Sequence, residues 1–202
     1  NGHVFYANDT ANVAWVKYKA TKTRFASDLP RPTLLYGSSS NKEGKVFYIS
    51  GTDTIVKKLA PNKLVNTLTL SEGNLKSIKV NFKQADSIPI YGFNFDDGKG
   101  VHVDNFSNRG NSGLPIGSLD VATMRAFHSK LDYDLIVLQY GANVLNYGSL
   151  NYGWYEKRMT KVVAHLKECF PVVSILIVST ADKSTKYDLE MKTDSAVVPL
   201  NT

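Results

Sequence analysis

A single cysteine, Cys169, stands among the 202 residues, so no disulfide can close within the chain and the fold must rest on packing. In the helical pattern around it, Cys169 reads as a small buried or half-buried hydrophobe. No apolar run approaches the roughly 20 residues that a membrane helix needs, and no membrane span is expected. Neither Gly-x-Gly-x-x-Gly nor a phosphate loop is present, which removes the main signature of a flavodoxin-like nucleotide binder. No cofactor and no metal are expected. The net charge of +6 is unevenly split: residues 1–97 hold 13 Lys and Arg against 8 Asp and Glu, and residues 98–202 hold 11 against 10. Lys17, Lys19, Lys57, Lys58, Lys79 and Lys83 are scattered over strand-like segments, with no basic run and no helix to enter a groove, so nucleic-acid binding is not expected. An anionic polymer such as a cell-wall surface suits this distribution. The first residue is Asn1 and no signal-like apolar segment is present, so the sequence reads as a processed or cut product.

What is present falls into two halves with different periods. From residue 1 to about 97 come short β-type runs bounded by turn formers: Val13–Ala20, Pro32–Tyr36, Lys45–Ser50, Thr54–Leu59, Leu64–Leu70, Leu75–Phe82 and Ile88–Phe95. In Ser77-Ile-Lys-Val-Asn-Phe-Lys83 the residues Ile78, Val80 and Phe82 share one face and Lys79, Asn81 and Lys83 the other. Seven such strands predict an antiparallel sandwich of jelly-roll type over 1–97. After Gly100 the spacing predicts strand 101–106, helix 118–131 with Ser118 as its cap, strand 134–140, helix 151–169 and strand 172–179. Asp134-Leu-Ile-Val-Leu-Gln-Tyr140 and Val172-Val-Ser-Ile-Leu-Ile-Val178 are almost wholly apolar, as central parallel strands covered on both faces would be. The stripe Trp154, Met159, Val162, Val163, Leu166 and Phe170 reads as helix core. Residues 98–202 thus predict an α/β domain whose three parallel strands leave it undersized; Asp182 to Thr202 lacks strong periodicity, and Pro199 discourages a closing helix.

Chemistry is concentrated in two loops. Asn105-Phe-Ser-Asn-Arg-Gly-Asn-Ser-Gly113 and, after Asp134-Leu-Ile-Val-Leu, the turn Gln139-Tyr-Gly-Ala-Asn143 each follow an expected strand. Loops at one edge of a parallel sheet converge, so a backbone N–H from Gly113 and the side-chain amide of Asn143 can meet at one point, as in an oxyanion hole. Taken singly, each is also an ordinary turn residue. Tyr140, Tyr147 and Tyr152 stand near the same edge and are candidates to line an acyl or sugar pocket, whereas Trp154 reads as core.

The two motifs resemble the second and third sequence blocks of the SGNH (GDSL-like) hydrolases, over roughly residues 101–180. By that resemblance the α/β half would be a flavodoxin-like three-layer domain, and Gly113 and Asn143 would be the oxyanion donors. Many members follow the Asn with Asp, where this chain has Val144. The family also needs a Gly-Asp-Ser nucleophile block before these motifs and an Asp-x-x-His block after them, and neither occurs here. Tyr36-Gly-Ser-Ser-Ser40 lacks the Asp, and none of His3, His102, His128 and His165 follows an Asp by three residues in a loop after the last strand. Some bacterial members, among them polysaccharide and peptidoglycan O-acetylesterases, insert a carbohydrate-binding-module-like sandwich between the nucleophile strand and the second block. Residues 1–97 resemble that insert. The resemblance implies an interior part of a serine esterase that removes acyl groups, acetyl foremost, from a carbohydrate or cell-wall polymer, in a secreted or periplasmic bacterial protein. The other reading is a non-catalytic carbohydrate-binding or scaffold protein with a degenerate hydrolase half.

Overall fold

The computed structural model describes residues 4–7, 14–23, 26–50, 53–145, 150–181, 184–187, 190–193 and 200. The chain forms two compact units that divide between Asn105 and Phe106. The first holds β1 (Phe5–Tyr6), β2 (Trp15–Lys19), β3 (Thr33–Tyr36), β4 (Lys45–Ser50), β5 (Asp53–Lys58), β6 (Asn66–Thr69), β7 (Ser77–Lys83) and β8 (Pro89–Asn94). They build two four-stranded sheets in the orders β1-β8-β3-β6 and β2-β7-β4-β5, every pairing antiparallel. That pair of orders is the double Greek key of an eight-stranded jelly-roll sandwich. Alternation decides which side chains enter the core. Ile78, Val80 and Phe82 of β7 are buried together with Val46 and Tyr48 of β4, Leu34 and Tyr36 of β3, and Ile88 and Ile90 at β8. The seven expected strands are all present; β1 spans two residues, too few for a period of two to show.

Buried polar groups in this unit are matched by deliberate partners. The Asn66 side chain, 6% exposed, donates to the carbonyls of Tyr36, Gly37 and Lys63, while its oxygen accepts the Lys63 N–H. Tyr48 donates to the Leu70 carbonyl inside the core, and the Tyr36 hydroxyl accepts the Ala60 N–H at 3.1 Å. The Tyr36–Ser40 segment is part of this framework: Gly37 N–H bonds the Pro89 carbonyl and Ser39 Oγ accepts the Asn41 N–H.

In the second unit a 3₁₀ turn, Leu114–Ser118, leads to α1 (Val121–Leu131), β9 (Leu135–Gln139), α2 (Gly153–Cys169) and β10 (Ser174–Val178). β9 and β10 pair in parallel, Leu135 opposite Ser174 through Gln139 opposite Val178. Leu138, Val162, Leu166, Cys169, Phe170 and Val173 are buried between strands and helices. Arg125 of α1 donates twice to the Glu168 carbonyl of α2, and His165 bonds the Leu119 carbonyl at 2.8 Å.

Five expectations are corrected by the structure. Residues 101–106 form no strand: Val101 and Val103 alternate with polar neighbours, yet lie exposed, because no described strand runs beside them to complete a ladder. The helix begins at Val121 behind Asp120, whose carboxylate accepts the Thr123 N–H at 2.7 Å and is held below its ordinary pKa by Thr123; Ser118 instead bonds the Pro115 carbonyl. The parallel sheet has two strands among the described residues, not three, and one of its faces stays open, with Leu135, Val137 and Leu176 exposed. Both helices pack on the other face, so the described residues show two layers where three were expected. Finally, the stretch without clear periodicity holds an antiparallel pair, β11 (Ser184–Tyr187) with β12 (Glu190–Thr193). No described helix is long and apolar enough to cross a membrane.

Replacing Asn66 by alanine strands several buried carbonyls and should lower the stability of the sandwich by about 2 kcal/mol. Urea unfolding followed at Trp15, in a Trp154→Phe background, measures it; a loss under about 0.5 kcal/mol would show that these groups find other partners.

Candidate active site

Gly113 sits in the left-handed region, φ 83°, where it caps the 3₁₀ turn, and a Cβ there would lie 2.8 Å from the Tyr140 ring. Glycine is therefore required on two counts, backbone angle and space. On the other loop Gly141 has φ 125°, and a Cβ would collide with the Thr180 hydroxyl. Thr180, just beyond β10, donates to the Tyr140 carbonyl at 3.1 Å. The ends of β9 and β10 and the segment before Leu114 are thereby drawn to one place.

Asn111 joins them. Its side-chain oxygen accepts the Gly113 N–H at 2.7 Å, and its main-chain carbonyl accepts a hydrogen from Asn143 Nδ2 at 3.0 Å. Gly113 and Asn143, placed 30 residues apart in sequence, thus share one neighbour. The Gly113 N–H, expected as an oxyanion donor, does not project freely in the structure, because a carboxamide two residues before a backbone N–H closes an Asx turn upon it. Asn143 is exposed and its amide carries two hydrogens, of which Asn111 takes one and orients the group. Among the described residues the second has no partner.

Tyr155 supports the loop from below. It is buried on α2 and its hydroxyl donates to the Ser112 carbonyl at 2.7 Å. Burial, with a smaller contribution from Tyr140, pushes its phenol up to about 12. Neither Asn111 nor Tyr155 was singled out in the sequence. Tyr155 is readable afterwards as the start of the buried series Tyr155, Val162, Leu166 and Cys169, whereas nothing distinguishes Asn111 from other loop asparagines.

Of the three candidate lining tyrosines, Tyr140 is half-buried with its ring against Gly113. Tyr152 is buried among Val144, Leu145 and Tyr155, its hydroxyl without a partner among the described residues. Tyr147 lies outside the described residues. The histidines are placed elsewhere: His102 beside Asp96 in the sandwich unit, His128 edge-on to Phe170, and His165 against Leu119 and the Cys169 thiol, while His3 lies outside the described residues. The thiol is buried and its pKa is raised by that burial, which makes Cys169 a packing residue and not a nucleophile.

Since the Tyr155 phenol titrates later folded than unfolded, its share of stability is complete below pH 10 and is lost as pH rises towards about 12. A difference titration at 295 nm between the native chain and Tyr155→Phe should show one phenol ionising near that upper value; a missing phenol with an ordinary midpoint would contradict the placement.

No family model matches the chain, and no curated protein does. Among solved structures, one of a peptidoglycan O-acetylesterase matches with a TM-score of 0.56 at 14% identity. The match covers 98% of this chain and 63% of that one. At this identity the likeness is one of fold: the chain is similar in fold, along nearly its whole length, to part of a peptidoglycan O-acetylesterase.

Proposed function

We propose that this chain is part of an SGNH-type esterase that removes acyl groups, acetyl foremost, from a carbohydrate or cell-wall polymer, with the nucleophilic serine and the Asp-His pair outside these 202 residues. The meeting of Gly113 and Asn143 at Asn111 carries the proposal. The likeness in fold to a peptidoglycan O-acetylesterase, of which the chain spans 63%, supports it. In this reading residues 98–202 belong to a three-layer α/β domain, and residues 1–97 are a carbohydrate-binding-module-like insert. The protein is secreted or periplasmic and bacterial.

The chemistry is acyl transfer. A serine hydroxyl adds to the ester carbonyl while histidine takes its proton, and the carbonyl electron pair moves onto oxygen. That oxyanion receives the Gly113 N–H and the second N–H of Asn143. The neutral Asn111 oxygen yields the Gly113 N–H, since a charged acceptor forms the stronger bond. Collapse breaks the bond to the sugar oxygen, which takes the proton from histidine and leaves as a hydroxyl, and water then frees the acyl group in the same way. Tyr140 borders the acyl side, and Asn111 and Tyr155 act as positioning residues.

In the complete enzyme Asn143→Ala should lower kcat about 10²–10³-fold with little change in KM. A loss below threefold removes Asn143 from the mechanism. The engaged Gly113 N–H favours a second reading, a catalytically inert carbohydrate-binding or scaffold protein. A fluorophosphonate probe separates them: labelling of one serine in the full-length protein sinks the second reading, and failure to label sinks the first.

A further inference from the structure

The outer face of the sheet β2-β7-β4-β5 carries side chains that the core does not use. Register lines them up across all four strands: Trp15 opposite Asn81, Asn81 opposite Phe47, and Phe47 opposite Val56. Trp15 is 58% and Val56 60% exposed, while Phe47 is half-buried. Two residues along the strands on one side, Lys17 stands opposite Lys79; two residues along on the other, Lys83, Lys45 and Lys58 stand abreast. Like charges directly opposite each other weaken a sheet, and these rows contain no carboxylate. Glu43 reaches Lys58 at 3.5 Å, but both ends are exposed and the pair neutralises little. Sheet stability therefore does not account for the two lysine rows.

Around the Lys17–Lys79 pair, reaching Asn81 of the Trp15 row on one side and Ser77 on the other, lies a depression of about 270 Å³ lined by Lys17, Ile49, Ser77, Lys79 and Asn81. It offers two ammonium groups, a hydroxyl and an amide beside the exposed Ile49 side chain. The Lys79 ammonium lies over the Trp15 ring, 4.4 Å from its centroid, so a cation rests against the exposed indole.

We propose that this face binds an acidic polysaccharide. A sugar ring rests its C–H face on Trp15 along the apolar row, and the acid groups are taken by Lys17 and Lys79 on one side and by Lys83, Lys45 and Lys58 on the other. A single-stranded nucleic acid fits less well. Successive bases need successive open rings, and among the described residues of this face only Trp15 presents one. Among the described residues all the facing cations are lysines, without the guanidinium groups that bracket bases and phosphates in two-pronged fashion. The proposal holds whether or not the second unit hydrolyses esters.

Electrophoresis of the full chain through gels containing polygalacturonate tests it. Polygalacturonate should retard the protein at low ionic strength and release it as salt screens the lysines. Trp15→Ala and the pair Lys17→Ala/Lys79→Ala should each weaken binding about tenfold, while Trp15→Phe retains most of it. Circular dichroism confirms that each variant is folded; if Trp15→Ala does not fold, Trp15→Phe and the lysine pair decide. Equal retardation by fully methyl-esterified polygalacturonate, tighter binding of a thymidine oligonucleotide, or an unchanged affinity in the folded lysine pair would each overturn the proposal.

Discussion

One asparagine holds the candidate site together. Because the Asn111 carboxamide and its own carbonyl bond different loops, the segment before Leu114 and the turn after β9 cannot shift independently. Tyr155 fixes the same segment from the helix layer, and Thr180 fixes the turn from the strand beside it. Gly113 and Gly141 make the closeness possible, since a side chain on either would meet its neighbour. The geometry is a small set of mutually dependent bonds, and loss of any one would loosen the rest.

The sandwich was largely legible in the sequence because its strands are exposed on one face and buried on the other. Where that condition holds, as in β7, hydropathy reports both the strand and its orientation. It failed at Val101 and Val103, whose alternation is that of a strand although no described strand lies beside them. It failed also for β11 and β12, whose hairpin lies in a stretch with no hydropathy period to read. Pattern records what a segment prefers, whereas pairing depends on what else is near.

The site was legible only in part, for a related reason. Gly113 and Asn143 stood out because each ends a segment of recognisable type, and the structure does bring their loops together. Which hydrogen goes to which oxygen is decided by side-chain rotation within an angstrom or two, and no spacing rule reaches that scale. Asn111 is the example. As one of several asparagines in 105–111, it acquires its role only from the distance across to Asn143.

The order of strands in the sandwich has a kinetic consequence. Phe5 pairs with Ile90, Trp15 with Asn81 and Leu34 with Phe93, so the first strands wait for the last before either sheet closes. Contacts so distant in sequence slow folding, since loop entropy is lost before pairing rewards it. During synthesis, therefore, the ribosome must release β8 before the first unit can complete its core, and until then β2, β3 and β4 leave it with their apolar faces uncovered.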